Sequence, residues 1–267
     1  MPLKNYQGWA LITGASSGLG RAFARCIAAE GVDCLLVGLG TGALAEVEEE
    51  LVRDHGVACR SLEQDLAAED AVDRVLAFVG DTPVGLLVNN AGIGAGGAFE
   101  TRDPARLAQL VKLNCLAPVL LTRALLPPML ARGTGAILFT SSLQAFISCP
   151  HEAAYNASKA FLLHFGESLW GELRCTPIDC LTVCPAGMKT GFFRSEGMPQ
   201  EDCDSMWAVS KPPEAIARLA LRKLGRRPLA APFHTRLTAF LVRFAPRVFT
   251  TRVVAFVTAR LVNLRRL

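Results

Sequence analysis

Short apolar runs alternate with longer stretches of helical spacing along most of this chain, and that alternation leaves few folds open. The runs lie at 8–13 (GWALIT), 32–37 (VDCLLV), 57–62 (VACRSL), 84–88 (VGLLV), 135–140 (GAILFT) and 178–184 (IDCLTVC). Helical patterns fill 21–30, 43–55, 69–79, 104–130, 153–174 and 213–224. Gly31, Gly56 and Gly225 stand where helix C-caps are expected, since a left-handed residue there costs glycine little. Apolar strands between amphipathic helices predict a mainly parallel sheet covered on both faces, a doubly wound α/β domain. The stretch 104–130 is expected to break near Pro118, which has no N–H for the helix ladder. No repeat or linker interrupts the pattern, so the reading is one domain over 1–230 and an extension over 231–267.

Composition agrees with a buried core. The chain has 267 residues, 51% of them hydrophobic, and a mean hydropathy of +0.31. A disordered polar chain is excluded. No stretch reaches roughly 18 uncharged apolar residues, the least that spans a bilayer. The longest apolar tract, 113–130, is interrupted by Arg123, Pro118, Pro127 and Pro128. The first eight residues lack an apolar h-region, so no secretory signal is expected. Nine cysteines without a C-x-x-C pair read as scattered buried thiols of a reducing, cytoplasmic compartment, and no metal site is expected.

Two motifs carry chemistry. Residues 13–20 (TGASSGLG) follow the first strand and open the first helix. Glycines there allow a tight turn and close approach of a ligand, and the helix N-terminus suits a pyrophosphate. Asn-Asn-Ala-Gly at 89–92 forms a second turn at the same sheet edge, where ligands of open α/β sheets bind. The second motif is Tyr155-Asn156-Ala157-Ser158-Lys159. Positions i and i+4 share a helix face, so Lys159 lies beside Tyr155. A free phenol has a pKa of about 10, and a neighbouring cation lowers it toward the working range of a catalyst.

The set of motifs resembles the short-chain dehydrogenase/reductase family in its single-domain form. The matching segments are 13–20, Asp65, 89–92, Asn114, Ser142, 155–159 and P-A-G-x-x-T at 185–190, covering roughly residues 8–225. The resemblance implies a Rossmann-type fold and an NAD(P)-dependent oxidoreductase moving a hydride between nicotinamide and a carbonyl or secondary alcohol. It implies Tyr155 as general acid and base, Lys159 as the residue that tunes the phenol and holds the nicotinamide ribose, and both as part of the cofactor-binding site. Ser142, thirteen residues before Tyr155, binds the substrate oxygen. Asn114 sits at a helix break and holds a water linking Lys159 to solvent. Gly14, Ser16, Ser17, Gly18, Leu19 and Gly20 hold cofactor phosphates and ribose. Asp65 and Leu66 contact adenine, and Asn90, Ala91 and Gly92 line the adjoining ribose. Pro185, Gly187 and Thr190 meet the nicotinamide. The family also implies a homo-dimer or homo-tetramer built through the Asn114 and Tyr155 helices. The alternative from another class is a non-catalytic dinucleotide-binding redox sensor, which the complete set Ser142, Tyr155 and Lys159 disfavours.

The chain departs from the family after the second strand, where residues 38–42 read GLGTG. No carboxylate along this segment repels a 2′-phosphate, and no guanidinium attracts it. Backbone N–H groups and Thr41 remain as its partners, so the reading leans to NADP(H), with NAD(H) the alternative. His151 before Tyr155 either meets substrate or is a loop histidine. A flexible lid is expected over 188–208, and Phe146, Met188, Phe192, Phe193, Met198 and Trp207 favour an apolar, lipid-like ketone as substrate.

The formal charge of +4 hides an asymmetry. Twelve Lys and Arg residues follow Glu214 with no acid among them, and the first 214 residues carry a net −8. Arg236, Arg243 and Arg247 share a helical face, Pro246 interrupts the helix, and apolar residues fill the rest. Such a basic amphipathic tail either packs on protein or makes a peripheral contact with anionic membrane. Nucleic acid is not expected as a partner, because the arginines alternate with aliphatic residues and no recognition motif is present.

Overall fold

A computed structural model describes residues 3–188 and 211–261. Seven strands form one sheet: β1 Trp9–Thr13, β2 Cys34–Gly38, β3 Cys59–Glu63, β4 Val84–Asn89, β5 Gly135–Thr140, β6 Ile178–Val183 and β7 Leu229–Ala230. Their spatial order is β3-β2-β1-β4-β5-β6-β7, and every neighbouring pair is parallel. The order reverses between β1 and β4, which opens a crevice at the carboxyl ends of the strands.

The period-2 geometry of the strands divides the core in two. Ile12, Leu36, Leu86 and Leu138 face one side with Phe23 and Ile27 of helix α1 (Gly18–Ala28), Leu44 and Leu51 of α2 (Thr41–His55), and other buried residues. Their neighbours Leu11, Leu35, Leu87 and Ile137 face the other side, with Val75 of α3 (Ala71–Val79) and the helices described next. Both faces are buried, as the continuous apolar runs of β1, β2, β4 and β5 require.

The long region 104–130 does not break at Pro118. It forms α4 (Pro104–Val111), a π-helical turn (Lys112–Leu116) and α5 (Ala117–Arg132) in one rod. Pro118 has no N–H to give the Asn114 carbonyl four residues back, and the wider turn absorbs that missing link. By length and composition the rod is long and apolar enough to cross a membrane, with an 18-residue stretch of mean hydropathy 1.4. Its inner face, including Leu110, Leu121, Leu125 and Met129, belongs instead to the core. Val111, Leu116 and Leu120 of the rod are exposed, as is Phe161 of the next helix, α6 (Ala153–Glu172). These are the two helices through which an oligomer is expected.

Helix α7 (Pro213–Lys223) packs on α1, and β7 then adds an edge strand that the apolar pattern does not announce. The extension begins at α8 (Phe233–Val242) and continues as α9 (Arg247–Leu261). Ala231 and Thr235 are buried and tie its start to the body. Beyond them Phe240, Leu241, Phe244, Val248 and Phe249 are all more than half exposed.

Candidate active site

The β1–α1 turn is pinned to the end of β4 by one hydroxyl. Thr13 Oγ1 accepts from the N–H groups of Asn90 (2.9 Å) and Ala91 (3.0 Å), and donates to the Val88 carbonyl at 3.2 Å. Asn90 returns a bond from Nδ2 to the Thr13 carbonyl at 3.0 Å. Glycine is obligatory at position 20, because a β-carbon there would stand 2.0 Å from the Gly14 carbonyl oxygen. The start of α1 therefore packs directly against the Gly14 carbonyl. Ser17 is the extended N-cap of α1, and its side chain does not cap the helix. Leu19 anchors the first helical turn in the core. This cradle of backbone N–H groups at a helix N-terminus fits a dinucleotide pyrophosphate.

Four elements meet at Lys159. The side chain is 4% exposed, and its Nζ donates to the Thr140 carbonyl at the end of β5, 3.0 Å away. The same nitrogen lies 5.5 Å from the Tyr155 ring centroid, within reach of a cation–π attraction. A β-carbon at Gly92 would lie only 3.2 Å from Nζ and from Asn114 Oδ1, so the turn after β4 passes close over both. Asn114 is fully buried in the π-turn. Its Oδ1 accepts from Ile93 N at 2.9 Å, and its Nδ2 donates to Ile93 O at 2.8 Å and to Ser158 Oγ at 3.0 Å. The asparagine side chain thus clamps the β4 turn to α6. Burial pushes the Lys159 ammonium down to about 8.

Ser142 follows β5 in extended conformation, and its Oγ accepts from Gln144 N at 3.2 Å. Its neighbour Ser141 donates to the Lys159 carbonyl at 2.6 Å, which ties the end of β5 to α6. Pro185 lies beyond β6, and its carbonyl accepts from Leu143 N at 2.7 Å, bringing the 185–187 segment beside Ser142. Asp65 follows β3; Ala67 N donates to its Oδ1 at 2.9 Å and Gln109 Nε2 to its Oδ2 at 3.4 Å, and Leu66 is buried beside it. Thr190 and most of the expected lid, with Phe192, Phe193, Met198 and Trp207, lie outside the described residues. His151 stands at φ +68 and lines a cavity of about 160 Å³ with Phe99, Arg102 and Leu107.

Residues 8–201 match the family model for the short chain dehydrogenase. The chain belongs to that family. A very-long-chain 3-oxoacyl-CoA reductase of Anas platyrhynchos is 30% identical over 228 residues, which cover 81% of this chain and 69% of that protein. Two solved structures of similar fold hold different cofactors. A short-chain dehydrogenase from Sphingobium yanoikuyae in complex with NADPH gives a TM-score of 0.80 at 28% identity, covering 90% of this chain and 96% of that one. A short chain dehydrogenase/reductase from Burkholderia phymatum in complex with NAD gives 0.77 at 27%, covering 90% and 93%. This dehydrogenase is accordingly an NAD(P)-dependent oxidoreductase.

One expectation about the cofactor edge needs correction. The β2–α2 turn of the dehydrogenase does have a carboxylate beside it. Glu63, the last residue of β3, accepts from Gly40 N at 2.9 Å and from the Thr41 hydroxyl. The donors expected to await a 2′-phosphate are engaged by an anion of the protein. Reading along the chain could not find it, because Glu63 lies 22 residues beyond Thr41 and reaches the turn only through strand pairing. Thr13 opens the glycine motif, but its role in pinning that motif to the end of β4 shows only in the structure.

Proposed function

We propose that this dehydrogenase interconverts an apolar, lipid-like ketone and its secondary alcohol, with Tyr155 giving and taking the proton. The observation that carries the chemistry is the buried Lys159 ammonium, held by the Thr140 carbonyl at 3.0 Å and placed 5.5 Å from the Tyr155 ring centroid. A cation there stabilises a phenolate, so the phenol can protonate a developing alkoxide and deprotonate an alcohol near neutral pH. Ser142 accepts from Gln144 N through Oγ and keeps its own proton to give the substrate oxygen as charge grows on it. Asn114 positions Lys159 indirectly, by clamping the turn that passes over it. Gly14 to Gly20 hold the dinucleotide phosphates, and a bound nicotinamide supplies the hydride or takes it up.

The substrate class draws support from two sides. The Anas relative is named for very long acyl chains. Phe146, close after Ser142, packs with Leu163, Cys184 and Ala231 in an apolar patch. The test is Tyr155→Phe, followed by nicotinamide absorbance on long-chain and on small polar ketones. Turnover on the long-chain ketones should fall by about 10²-fold or more in the variant. Unchanged turnover overturns the assignment of Tyr155, and wild-type turnover confined to polar ketones overturns the substrate class.

A second reading concerns the extension. Phe240, Leu241, Phe244, Val248 and Phe249 are exposed together with Arg236, Arg243, Arg247 and Arg252. The arginines and apolar residues are interspersed around both helices, so the amphipathic face expected of the tail is not formed. An exposed apolar surface studded with guanidinium groups and free of acids still suits an anionic lipid surface. The full chain should float with vesicles of anionic phospholipid at low salt, and Arg243→Glu with Arg247→Glu should release it. Protein that stays at the bottom of the gradient rejects this reading.

A further inference from the structure

The turn after β2 has no charged side chain of its own, and the charge beside it comes from β3. Gly38 and Glu63 are the last opposed pair of the β2–β3 ladder. Past that pair the chain turns at Gly40, where φ is +87, and enters α2. Glu63 closes this turn with both carboxylate oxygens, one on the Gly40 N–H and one on the Thr41 hydroxyl. The Thr41 hydroxyl and the Gly40 N–H hold the carboxyl below its ordinary range, so it is ionised at neutral pH. On its other side Gly38 abuts the glycine turn: a β-carbon there would stand 3.4 Å from Ser16 Oγ and 3.5 Å from Ser16 N. Glu63, Gly38 and Ser16 therefore form a row along the carboxyl edge of the sheet. In dinucleotide-binding sheets of this kind, an acid about twenty residues past the glycine turn takes the ribose 2′-hydroxyl of NAD, whereas an arginine nearby accommodates the 2′-phosphate of NADP. This chain has neither on β2, and β3 brings an acid to the same place.

We propose that Glu63 sets the cofactor choice: its carboxylate accepts from the adenosine ribose 2′-hydroxyl and repels a 2′-phosphate, so the enzyme selects NAD(H). The proposal rests on the reading of this edge as the dinucleotide site. A 2′-phosphate would bring a second anion to a turn whose two donors already serve one. Leu39, the exposed side chain at the tip of the turn, offers no cation to offset it.

The test is the dissociation constant of NADH and of NADPH for the full chain, read by dinucleotide fluorescence without substrate. Wild type should bind NADH about tenfold or more tightly than NADPH, and the preference should narrow as salt rises, since an exposed like-charge pair is screened. Glu63→Gln retains an oxygen for the Gly40 N–H, and it should narrow the preference by about tenfold, mainly by tightening NADPH. Leu39→Arg should shift it in the same direction with Glu63 intact. A thermal melt and the NADH constant of each variant report whether the fold survives. A wild-type preference for NADPH, or a ratio that Glu63→Gln does not move, overturns the proposal alone. Binding of neither dinucleotide overturns it together with the oxidoreductase reading.

Discussion

Lys159 at one end of the cleft is 4% exposed, while Glu63 at the other lies in solvent, although both place a charge along the same sheet edge. At the Lys159 end, β4, β5, the π-turn and α6 converge, and Asn114, Ser141 and Ser158 are buried and hydrogen-bonded. At the Glu63 end, one exposed side chain answers two donors of one turn. Keeping a charge in the core is costly, and the fold provides a carbonyl and an aromatic face to hold it. A charge in water costs almost nothing to keep and contributes correspondingly little to the fold. The buried end should therefore show coupled effects on stability and turnover, and the exposed end should show effects on selectivity alone.

The largest expected effect breaks the buried end. Lys159→Met keeps the volume and removes the charge, and it should cost about 10²-fold or more in kcat. The stability consequence has a definite sign. Below pH 8 the ammonium is charged in the folded and the unfolded chain, and its desolvation cost is fully present. Between about 8 and 10.5 the unfolded chain holds the proton and the folded chain does not, so stability rises with pH. Cys184 faces the same space, and burial pushes its thiol up to about 12, so it stays neutral across that window. Urea unfolding at pH 7 and pH 10.5 should show wild type gaining on the order of 3 kcal/mol relative to the variant. The loss of the bond to Thr140 shifts both pH values alike and does not disturb the comparison. An equal gap at both values would mean that Lys159 titrates as it does in water.

The same contrast explains what could be read from the sequence. Tyr155 and Lys159 are four residues apart on one helix, and β5 falls at 135–140 as its apolar run predicts. Such features depend on local periodicity, which the chain displays directly. The turn at 13–20 and the segment after β4 were legible for the same reason, although their joint dependence on Thr13 was not. Pro118 signalled an irregular helix, but tertiary packing against β4 and β5 kept the rod continuous and made the irregularity a π-turn. β7 has two residues and is too short for any period to show. Glu63 is the most instructive omission. Its partners Gly40 and Thr41 lie on another strand connection, and only the β2–β3 register brings them together. Charges that act across strands are invisible to a reading that moves along one.

The smallest expected effect sharpens the exposed end by asking whether charge or geometry does the selecting. Thr41→Val removes the hydroxyl that donates to Glu63 and leaves the Gly40 bond in place. At an exposed position this should move Tm by about 2 °C at most. The carboxylate keeps its charge and gains some freedom at one oxygen. A charge displaced by a few ångströms still lies well inside the screening length of roughly 8–10 Å at moderate salt. If repulsion of the 2′-phosphate is the discriminating force, the NADH-to-NADPH affinity ratio in Thr41→Val should stay within about twofold of wild type. The ratio in Glu63→Gln should collapse in the same assay. A collapse in both variants would instead mean that Glu63 selects only when held in one orientation. The exposed end would then depend on fixed geometry as the Lys159 end does, and burial would no longer separate the two.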